Sequence, residues 1–163
     1  MLTQARLMEV LRYNPYTGLF TCTSATNDSI LIGSVAGSLN GAGRIQIQID
    51  KKVYLAHRLA FLYMDGFIPE FVDHIDTIPT HNWWTNLRGC THQQNMCNAK
   101  LRKDSCSGIK GVSWDLRKKK WCAYITISKR RRHLGYFGTK DAAELVVREA
   151  RIKLHGDFAN HGV

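Results

Sequence analysis

A histidine and a carboxylate lie side by side in the run Val72-Asp73-His74-Ile75-Asp76, and two asparagines follow it. Asn86 comes 12 residues after His74, and Asn95 comes 9 residues after Asn86. A histidine whose pKa lies near neutrality can take a proton from water. Carboxylate and amide oxygens are the ligands that a hard divalent cation prefers. These residue types at this spacing predict metal-assisted hydrolysis of a phosphodiester.

Each of these side chains has a separate predicted role. His74 is the candidate general base, and the amide oxygen of Asn86 could fix its tautomer. Asp73 and Asn95 are the candidate ligands of one divalent metal ion, Mg²⁺ with Mn²⁺ as an alternative. His92 competes with Asn95 as a ligand, because the two lie three residues apart on one predicted helix face. For any one of these residues alone, local hydrogen bonding in a loop is the favoured explanation, whereas the set in this order favours a nuclease site.

The surrounding elements are predicted in the order strand, loop, strand, helix. Residues 70–75 form the first strand, residues 76–86 are polar and turn-rich, and residues 87–90 form the second strand. Thr91 is a good N-cap for a helix that runs to about Lys100. Adjacent strand residues point to opposite faces, so Asp73 and His74 can share a site only where the strand twists or ends.

Four segments resemble the HNH homing endonucleases of the phage and intron-encoded branch: 54–60, 72–76, 82–88 and 91–95. The resemblance covers about residues 1–99 and implies a ββα-metal motif. The resemblance implies that His74 is the general base and that Asp73 and Asn95 bind the metal. It also implies that Asn86 orients the base. That family usually carries Asp-Asn-Arg where this chain has His81-Asn82-Trp83, so only Asn82 matches there. The departure concerns the packing of the loop and its DNA contacts.

Charge is distributed unevenly along the chain. Residues 1–99 contain seven Lys and Arg against seven Asp and Glu, whereas residues 100–163 contain 16 against 6. The whole excess of +10 therefore lies in the last 64 residues, which indicates a polyanionic partner. A merely solubilising surface is the alternative. The clusters at 117–120 and 129–132 argue against it, because they bracket a strand-like run and would meet on one sheet.

The C-terminal part is predicted to contain three strands and a helix. The strands span about 109–114, 121–127 and 132–137, and Thr139 caps a helix from about 140 to 155. Small and aliphatic residues repeat at helical spacing along that helix and should pack on the sheet. Trp121 is expected in the core, whereas Trp114 could lie in the core or on DNA. Trp83 and Trp84 are expected to pack inside the nuclease loop.

Residues 107–160 resemble an AP2-type DNA-binding domain, through Lys110-Gly111-Val112, residues 121–125, residues 133–137 and residues 139–143. In that family the sheet lies in the major groove of DNA. The residues expected to contact DNA, from this resemblance and from the basic clusters, are Lys110, Ser113, Trp114, Arg117, Lys119, Tyr124, Thr126, Arg130, Arg131 and His133. The family often has arginine where this chain has Ser113 and Asp115, so the same target sequence does not follow.

The five cysteines form no paired CxxC spacing, which argues against a disulfide framework. Cys90 and Cys97, with His92 between them, leave a zinc site open as a less favoured alternative. No apolar run approaches the ~18 residues of a membrane span, so we expect no membrane partner and a cytoplasmic location.

The fold class expected is α+β. A ββα-metal (HNH) nuclease domain spans residues 1–99, a linker 100–106, and an AP2-like domain of three antiparallel strands plus a helix 107–163. The function expected is a metal-dependent endonuclease of homing type that nicks double-stranded DNA and acts as a monomer or weak dimer. A non-catalytic DNA-binding regulator on a nuclease scaffold is the alternative.

Overall fold

A computed structural model describes residues 2–24, 31–98, 101, 105–127 and 130–162 of the protein. The chain divides into two compact units, Met1–Cys90 and Thr91–Val163, and each combines helices with strands, as an α+β fold requires. The division lies N-terminal to the linker predicted over residues 100–106. Residues 100 and 102–104 of that segment lie outside the described residues.

The first unit has short antiparallel sheets around two helices. Its elements are α1 (Gln4–Val10), β1 (Leu11–Tyr13), β2 (Phe20–Cys22), β3 (Val35–Ala36), β4 (Ser38–Leu39), β5 (Ile45–Ile49), β6 (Lys52–Leu55), α2 (Ala56–Asp65), β7 (Phe71–His74), a 3-10 turn (Trp84–Asn86) and β8 (Leu87–Cys90). The strand orders are β1-β2-β3, β4-β5-β6 and β7-β8. One core joins these elements and includes Leu7, Phe20 and Leu59, none of them more than 1% exposed.

The N-terminal helix is short and leads directly into a strand. Thr3 caps it by accepting a hydrogen bond from the backbone of Arg6, but the helix ends at Val10. Residues 11–13 pair as a strand with residues 20–22, and the Tyr13 and Phe20 rings lie 4.8 Å apart. A helix continued to Tyr13 would lose this cross-strand pairing.

The second unit contains one three-stranded sheet with a helix against it. Its elements are α3 (His92–Cys97), β9 (Val112–Asp115), β10 (Lys120–Ile127), β11 (Arg130–Phe137), α4 (Lys140–His155) and a 3-10 turn (Gly156–Phe158). The sheet is antiparallel with the order β11-β10-β9. Val112 and Ala123 of the sheet pack with Ala143 and Val147 of α4, and Trp121 lies against this core as predicted.

Two predicted helix starts in the second unit are confirmed. Thr91 and Gln94 form a reciprocal capping box at the start of α3, and the Thr139 side chain accepts from the backbone of Ala142 at the start of α4. The strand predicted from Ile109 begins only at Val112. The hydroxyl of Ser107 donates to the carbonyls of Ile109 and Val112, and this turn keeps the intervening chain out of the sheet.

Candidate active site

The β7–β8 hairpin places Asp73 and His74 at the end of a strand. β7 ends at His74, Asp73 pairs with Arg88, and His74 pairs with Leu87. Both side chains are buried, at 6% and 8% exposure, although they point to opposite faces of β7. Protein therefore covers both faces of the hairpin at Asp73, the predicted metal ligand, and at His74, the predicted base.

Asn82 contacts the imidazole of His74. Its Oδ1 lies 2.9 Å from His74 Nε2, and Asn82 is 2% exposed. A carboxamide oxygen only accepts, so Nε2 carries the proton and Nδ1 keeps the lone pair that a general base needs. The prediction gave this position to Asn86. Asn82 is the residue that sequence reasoning missed in this role, although it matches the expected Asn of the loop.

Elements far away in sequence hold Asn82 in place. The Tyr13 hydroxyl donates to the Asn82 carbonyl at 2.7 Å, and burial raises the pKa of this phenol. Gly18 has a φ of +72°, and a Cβ there would lie 2.3 Å from the carbonyl carbon of Asn82. Only glycine permits so close an approach. The β1–β2 turn thus packs closely against the backbone of Asn82, the residue that contacts His74.

Asn86 instead holds the loop between β7 and β8. Its Oδ1 accepts from the backbone N–H of Asp76 at 3.1 Å, and its Nδ2 donates to the Asp76 carboxylate at 3.0 Å and the His81 carbonyl at 2.8 Å. The Asp76 carboxylate also lies 2.6 Å from His81 Nδ1. These contacts, with the burial of Asn86, fix the course of the loop that brings Asn82 back to His74.

The predicted ligand Asp73 forms an ion pair inside the first unit. Nε and Nη2 of Arg88 lie 2.9 Å and 2.8 Å from its Oδ2. Carboxylate oxygens are ligands that a hard divalent cation prefers. Asn95, the other predicted ligand, lies on α3 in the second unit with His92.

The cysteines of the zinc alternative are free thiols. Cys90 ends β8 and Cys97 ends α3, and neither forms a disulfide. Within the described ranges, no group of three or more His, Cys, Asp or Glu side chains could hold a metal ion. Burial raises the pKa of the Cys90 thiol to about 11, which favours its protonated form near pH 7.

A second histidine packs against the candidate base. The rings of His57, in the first turn of α2, and His74 lie 5.1 Å apart at 70°. Burial, with the positive field of His74, Arg44 and Arg58, lowers the pKa of His57 to about 3. Burial also lowers the pKa of His74, although its bond to Asn82 and nearby carboxylates oppose this. Both imidazoles are therefore neutral near pH 7, and His74 can accept a proton.

The burial of neutral His57 predicts sensitivity to acid. Its pKa is about 3 when folded against an ordinary value of 6.5, so between these values the unfolded chain binds an extra proton. The free energy of unfolding should therefore fall as the pH drops from 6.5 towards 3. One such proton contributes a slope of at most about 1.4 kcal/mol per pH unit. His57→Phe should flatten the slope seen in urea unfolding from pH 4.5 to 7.

The exposed His133 provides the matched control for that measurement. His133→Phe removes an exposed imidazole and leaves His57 in place. The pH slope of its free energy of unfolding should therefore follow that of the wild type. Equal slopes for His57→Phe and the wild type would contradict the assignment of acid sensitivity to His57.

Half of the predicted DNA contacts line one groove on the second sheet. Residues of β9, β10 and β11 line a groove of about 370 Å³, formed by Ser113, Trp114, Asp115, Cys122, Tyr124, Arg131 and His133. The register places Tyr124 opposite His133 and Thr126 opposite Arg131. The Arg131 guanidinium lies over the Tyr124 ring at 3.2 Å from its centroid. Stacking of this kind orients a cation while leaving it charged.

The remaining predicted contacts differ in their surroundings. Arg117 and Lys119 are exposed in the turn between β9 and β10, and Arg130 is exposed at the start of β11; Lys129 lies outside the described residues. Lys110 departs from the prediction. Its ammonium donates to the carbonyl of Cys97 at the end of α3, at 2.9 Å, and burial lowers its pKa to about 8. In the structure Lys110 stabilises a helix C-terminus rather than joining the groove.

Comparison with known proteins identifies the family. Residues 54–97 match the HNH endonuclease family. The chain is also 33% identical over 99 residues to Protein 3.8 of Escherichia phage T7, in an alignment that covers 58% of this chain and 79% of that protein. This chain is a member of the HNH endonuclease family. No solved structure matches it.

The matched region of this HNH protein contains α2, both strands of the β7–β8 hairpin and α3. It therefore includes His57, Asp73, His74, Asn82 and Asn95. Tyr13 and Gly18, which hold the backbone of Asn82, lie outside the matched region. The sheet of β9, β10 and β11 in the second unit also lies outside it. The likeness of residues 107–160 to AP2-type domains remains a prediction. None of the helices in the described part of the chain is long and apolar enough to cross a membrane.

Proposed function

We propose that the protein is a metal-dependent DNA endonuclease that nicks duplex DNA, with a role of homing type. The observation that carries the proposal is His74, a buried and neutral imidazole fixed through Nε2 by Asn82 in a chain of the HNH endonuclease family. A base fixed through one ring nitrogen presents the other in a defined direction. The phage relative favours action in the cytoplasm of an infected host cell.

In this mechanism Nδ1 of His74 takes a proton from the water that attacks the phosphorus. Burial lowers the pKa of His74, so most of its population is unprotonated at pH 7 and available to act as a base. Asn82 holds the ring so that the lone pair keeps its direction as positive charge develops. Asn86 and Asp76 hold the loop that delivers Asn82.

The proposed metal ligands are Asp73 and Asn95, with Mg²⁺ as the preferred ion and Mn²⁺ as an alternative. When bound, the ion would stabilise the negative charge on the leaving oxygen. The carboxylate of Asp73 fits this use, because its oxygens are ligands that a hard cation prefers. The role of Asn95 rests on its oxygen chemistry and on the HNH resemblance.

The second unit is proposed to hold duplex DNA through the groove of β9, β10 and β11 and the exposed cations beside it. Tyr124 and Arg131 supply a stacked pair, and Ser113 and His133 supply hydrogen-bonding groups on the same face. Phosphate contacts from Arg117, Lys119 and Arg130 would add affinity independent of sequence. Such an anchor would keep the nuclease site on DNA between encounters with its target.

A plasmid-nicking assay tests the proposal directly. Wild-type protein should convert supercoiled plasmid to open circles with Mg²⁺ or Mn²⁺, and EDTA should abolish the conversion. Asn95→Ala should remove the activity at low metal concentration, whereas His92→Ala should retain it. If the protein binds duplex DNA but no metal supports nicking, the DNA-binding regulator is the correct alternative.

The anchor role predicts a change in salt dependence. Replacing Arg117, Lys119 and Arg130 together by Gln should weaken duplex binding and lower the slope of log K against log salt. The slope should fall by up to about 0.9 for each phosphate that the variant no longer neutralises. Fluorescence anisotropy at several salt concentrations measures it.

Exposed lysines of the first unit provide the matched control for the salt experiment. Lys51 and Lys52 lie at the turn between β5 and β6, and Lys51→Gln with Lys52→Gln removes two positive charges where the triple variant removes three. This variant should keep the wild-type slope. A slope unchanged by the triple substitution would show that these three cations do not contact DNA.

A further inference from the structure

His81 lies in the loop that carries Asn82, the residue that contacts His74. It directly precedes Asn82, whose Oδ1 lies 2.9 Å from His74 Nε2. At the start of the loop, the backbone N–H of Thr77 donates to the His74 carbonyl at 3.0 Å, so Asp76 lies in the turn that follows His74. The Asp76 carboxylate lies 2.6 Å from His81 Nδ1. The backbone bond to Asn82 and the side-chain contact with Asp76 therefore both join His81 to the candidate active site.

The imidazole of His81 is held in a fixed direction. Its Nδ1 contacts Oδ2 of Asp76, while Oδ1 of Asp76 accepts from the backbone N–H of Ile78 at 2.9 Å and from Asn86 Nδ2 at 3.0 Å. Although burial opposes the effect, these bonds lower the pKa of Asp76, so its carboxylate is ionised near pH 7. The Trp83 ring lies against the imidazole, with the two ring centroids 4.4 Å apart at 31°.

The other ring nitrogen of His81 is accessible to solvent. Within the described part of the chain, Nε2 of His81 forms no hydrogen bond, and the buried side-chain nitrogen and oxygen atoms without a partner belong to His57 and His155. The side chain of His81 is 37% exposed. With Nδ1 bound to an ionised carboxylate, a proton on Nε2 makes the ring an imidazolium that can donate a charge-assisted hydrogen bond.

His81 is the residue of the loop 75–87 that can carry a positive charge. This loop contains no Lys or Arg, and His74, which precedes it, is buried. A site that hydrolyses a phosphodiester gains from N–H donors aimed at the anionic backbone of its substrate. The HNH homing endonucleases that this region resembles usually carry Asp at this position, so a cationic role for His81 does not follow from that resemblance.

We propose that His81 binds an oxygen of a DNA phosphate through Nε2, as an imidazolium held at Nδ1 by Asp76. This inference rests on the proposed nuclease function and adds to it a second histidine, which contacts the substrate. The charged group that bonds to the His81 ring is the Asp76 carboxylate, and Trp83 packs against the ring face. A phosphate oxygen only accepts, so the contact uses the protonated ring.

The first test measures phosphate binding without metal or cleavage. Inorganic phosphate is titrated at pH 6 into the full-length protein with labelled histidine, and the NMR signals of the His81 ring are followed. Phosphate should move these signals saturably towards those of an imidazolium, whereas potassium chloride of equal ionic strength should not. Asp76→Asn keeps an acceptor but removes the charge, so it should weaken phosphate binding several-fold. His81 signals that move no further with phosphate than with chloride would overturn the proposal.

Single-turnover nicking gives a second test. His81→Ala should lower the rate by roughly 10- to 100-fold, as expected when one charge-assisted hydrogen bond to phosphate is lost. His81→Gln keeps an N–H donor without the charge, so it should recover part of the rate. Thr80→Ala, which changes an exposed neighbour in the same loop, is the matched control and should stay within about twofold of wild type. Wild-type rates in both His81 variants would contradict the phosphate contact.

The two tests separate this inference from the nuclease assignment. A saturable shift of the His81 ring that depends on Asp76 supports the phosphate contact even if no metal gives nicking. An active nuclease whose His81 ring does not respond to phosphate refutes the contact and leaves the nuclease assignment in place. Urea unfolding reports whether each variant is folded, and if His81→Ala is not, His81→Gln decides the cleavage test.

Discussion

Replacing His74 with alanine should lower the rate of metal-dependent nicking by roughly 10³-fold, as expected when a general base is removed. The imidazole is buried, and its Nε2 is fixed by Asn82, as the proposed role of a positioned base requires. Single-turnover nicking of plasmid under saturating Mg²⁺ measures the effect. Anisotropy with a duplex oligonucleotide should show affinity within a few-fold of wild type.

Two further measurements distinguish a chemical role of His74 from a structural one. His74→Ala leaves a small space beside Asn82, and added imidazole should restore part of the rate if His74 only supplies a base. His74→Gln keeps a hydrogen-bonding group but no base near neutral pH, so it should remain as slow as His74→Ala. A folded His74→Ala protein that nicks at the wild-type rate would overturn the assigned role.

The sequence predicts the local frame of the site well because that frame is set by local chemistry. β8 begins and ends at the predicted residues, and Thr91 caps α3 as its hydroxyl and the Gln three residues later indicate. β7 ends at His74, one residue before the predicted end of the strand. These features depend on neighbours within a few positions of the chain.

The partner of His74 depends on contacts that no local pattern encodes. Asn82 and Asn86 lie in one loop, and either amide satisfies the chemistry that the sequence requires. The choice follows from Tyr13 and Gly18, which hold the Asn82 backbone from more than 60 positions away in the chain. The same reason explains Lys110, whose ammonium is drawn to the carbonyl of Cys97 rather than to the groove.

The two asparagines should therefore give different phenotypes when each is replaced by alanine. Asn82→Ala removes the acceptor from His74 Nε2 and should lower the cleavage rate by roughly 10- to 100-fold with little change in DNA affinity. Asn86→Ala removes three hydrogen bonds made by a buried side chain and should lower the free energy of unfolding by about 2 kcal/mol or more. Urea unfolding and single-turnover cleavage of both variants separate the effects.

The pH dependence of cleavage tests whether Asn82 acts on the pKa of His74. If Asn82 had a purely structural role, substituting it would not shift the pH–rate profile. In Asn82→Asp a carboxylate can still accept from Nε2, but its negative charge stabilises the imidazolium and raises the pKa of His74. A base works only above its own pKa, so the acidic limb of the pH–rate profile should move to higher pH. Asn86→Asp should leave that limb in place, because the side chain of residue 86 contacts Asp76 and His81 rather than the imidazole of His74. If only the substitutions at residue 86 moved the limb, Asn86 would be the partner of His74 during catalysis, as the sequence alone predicts.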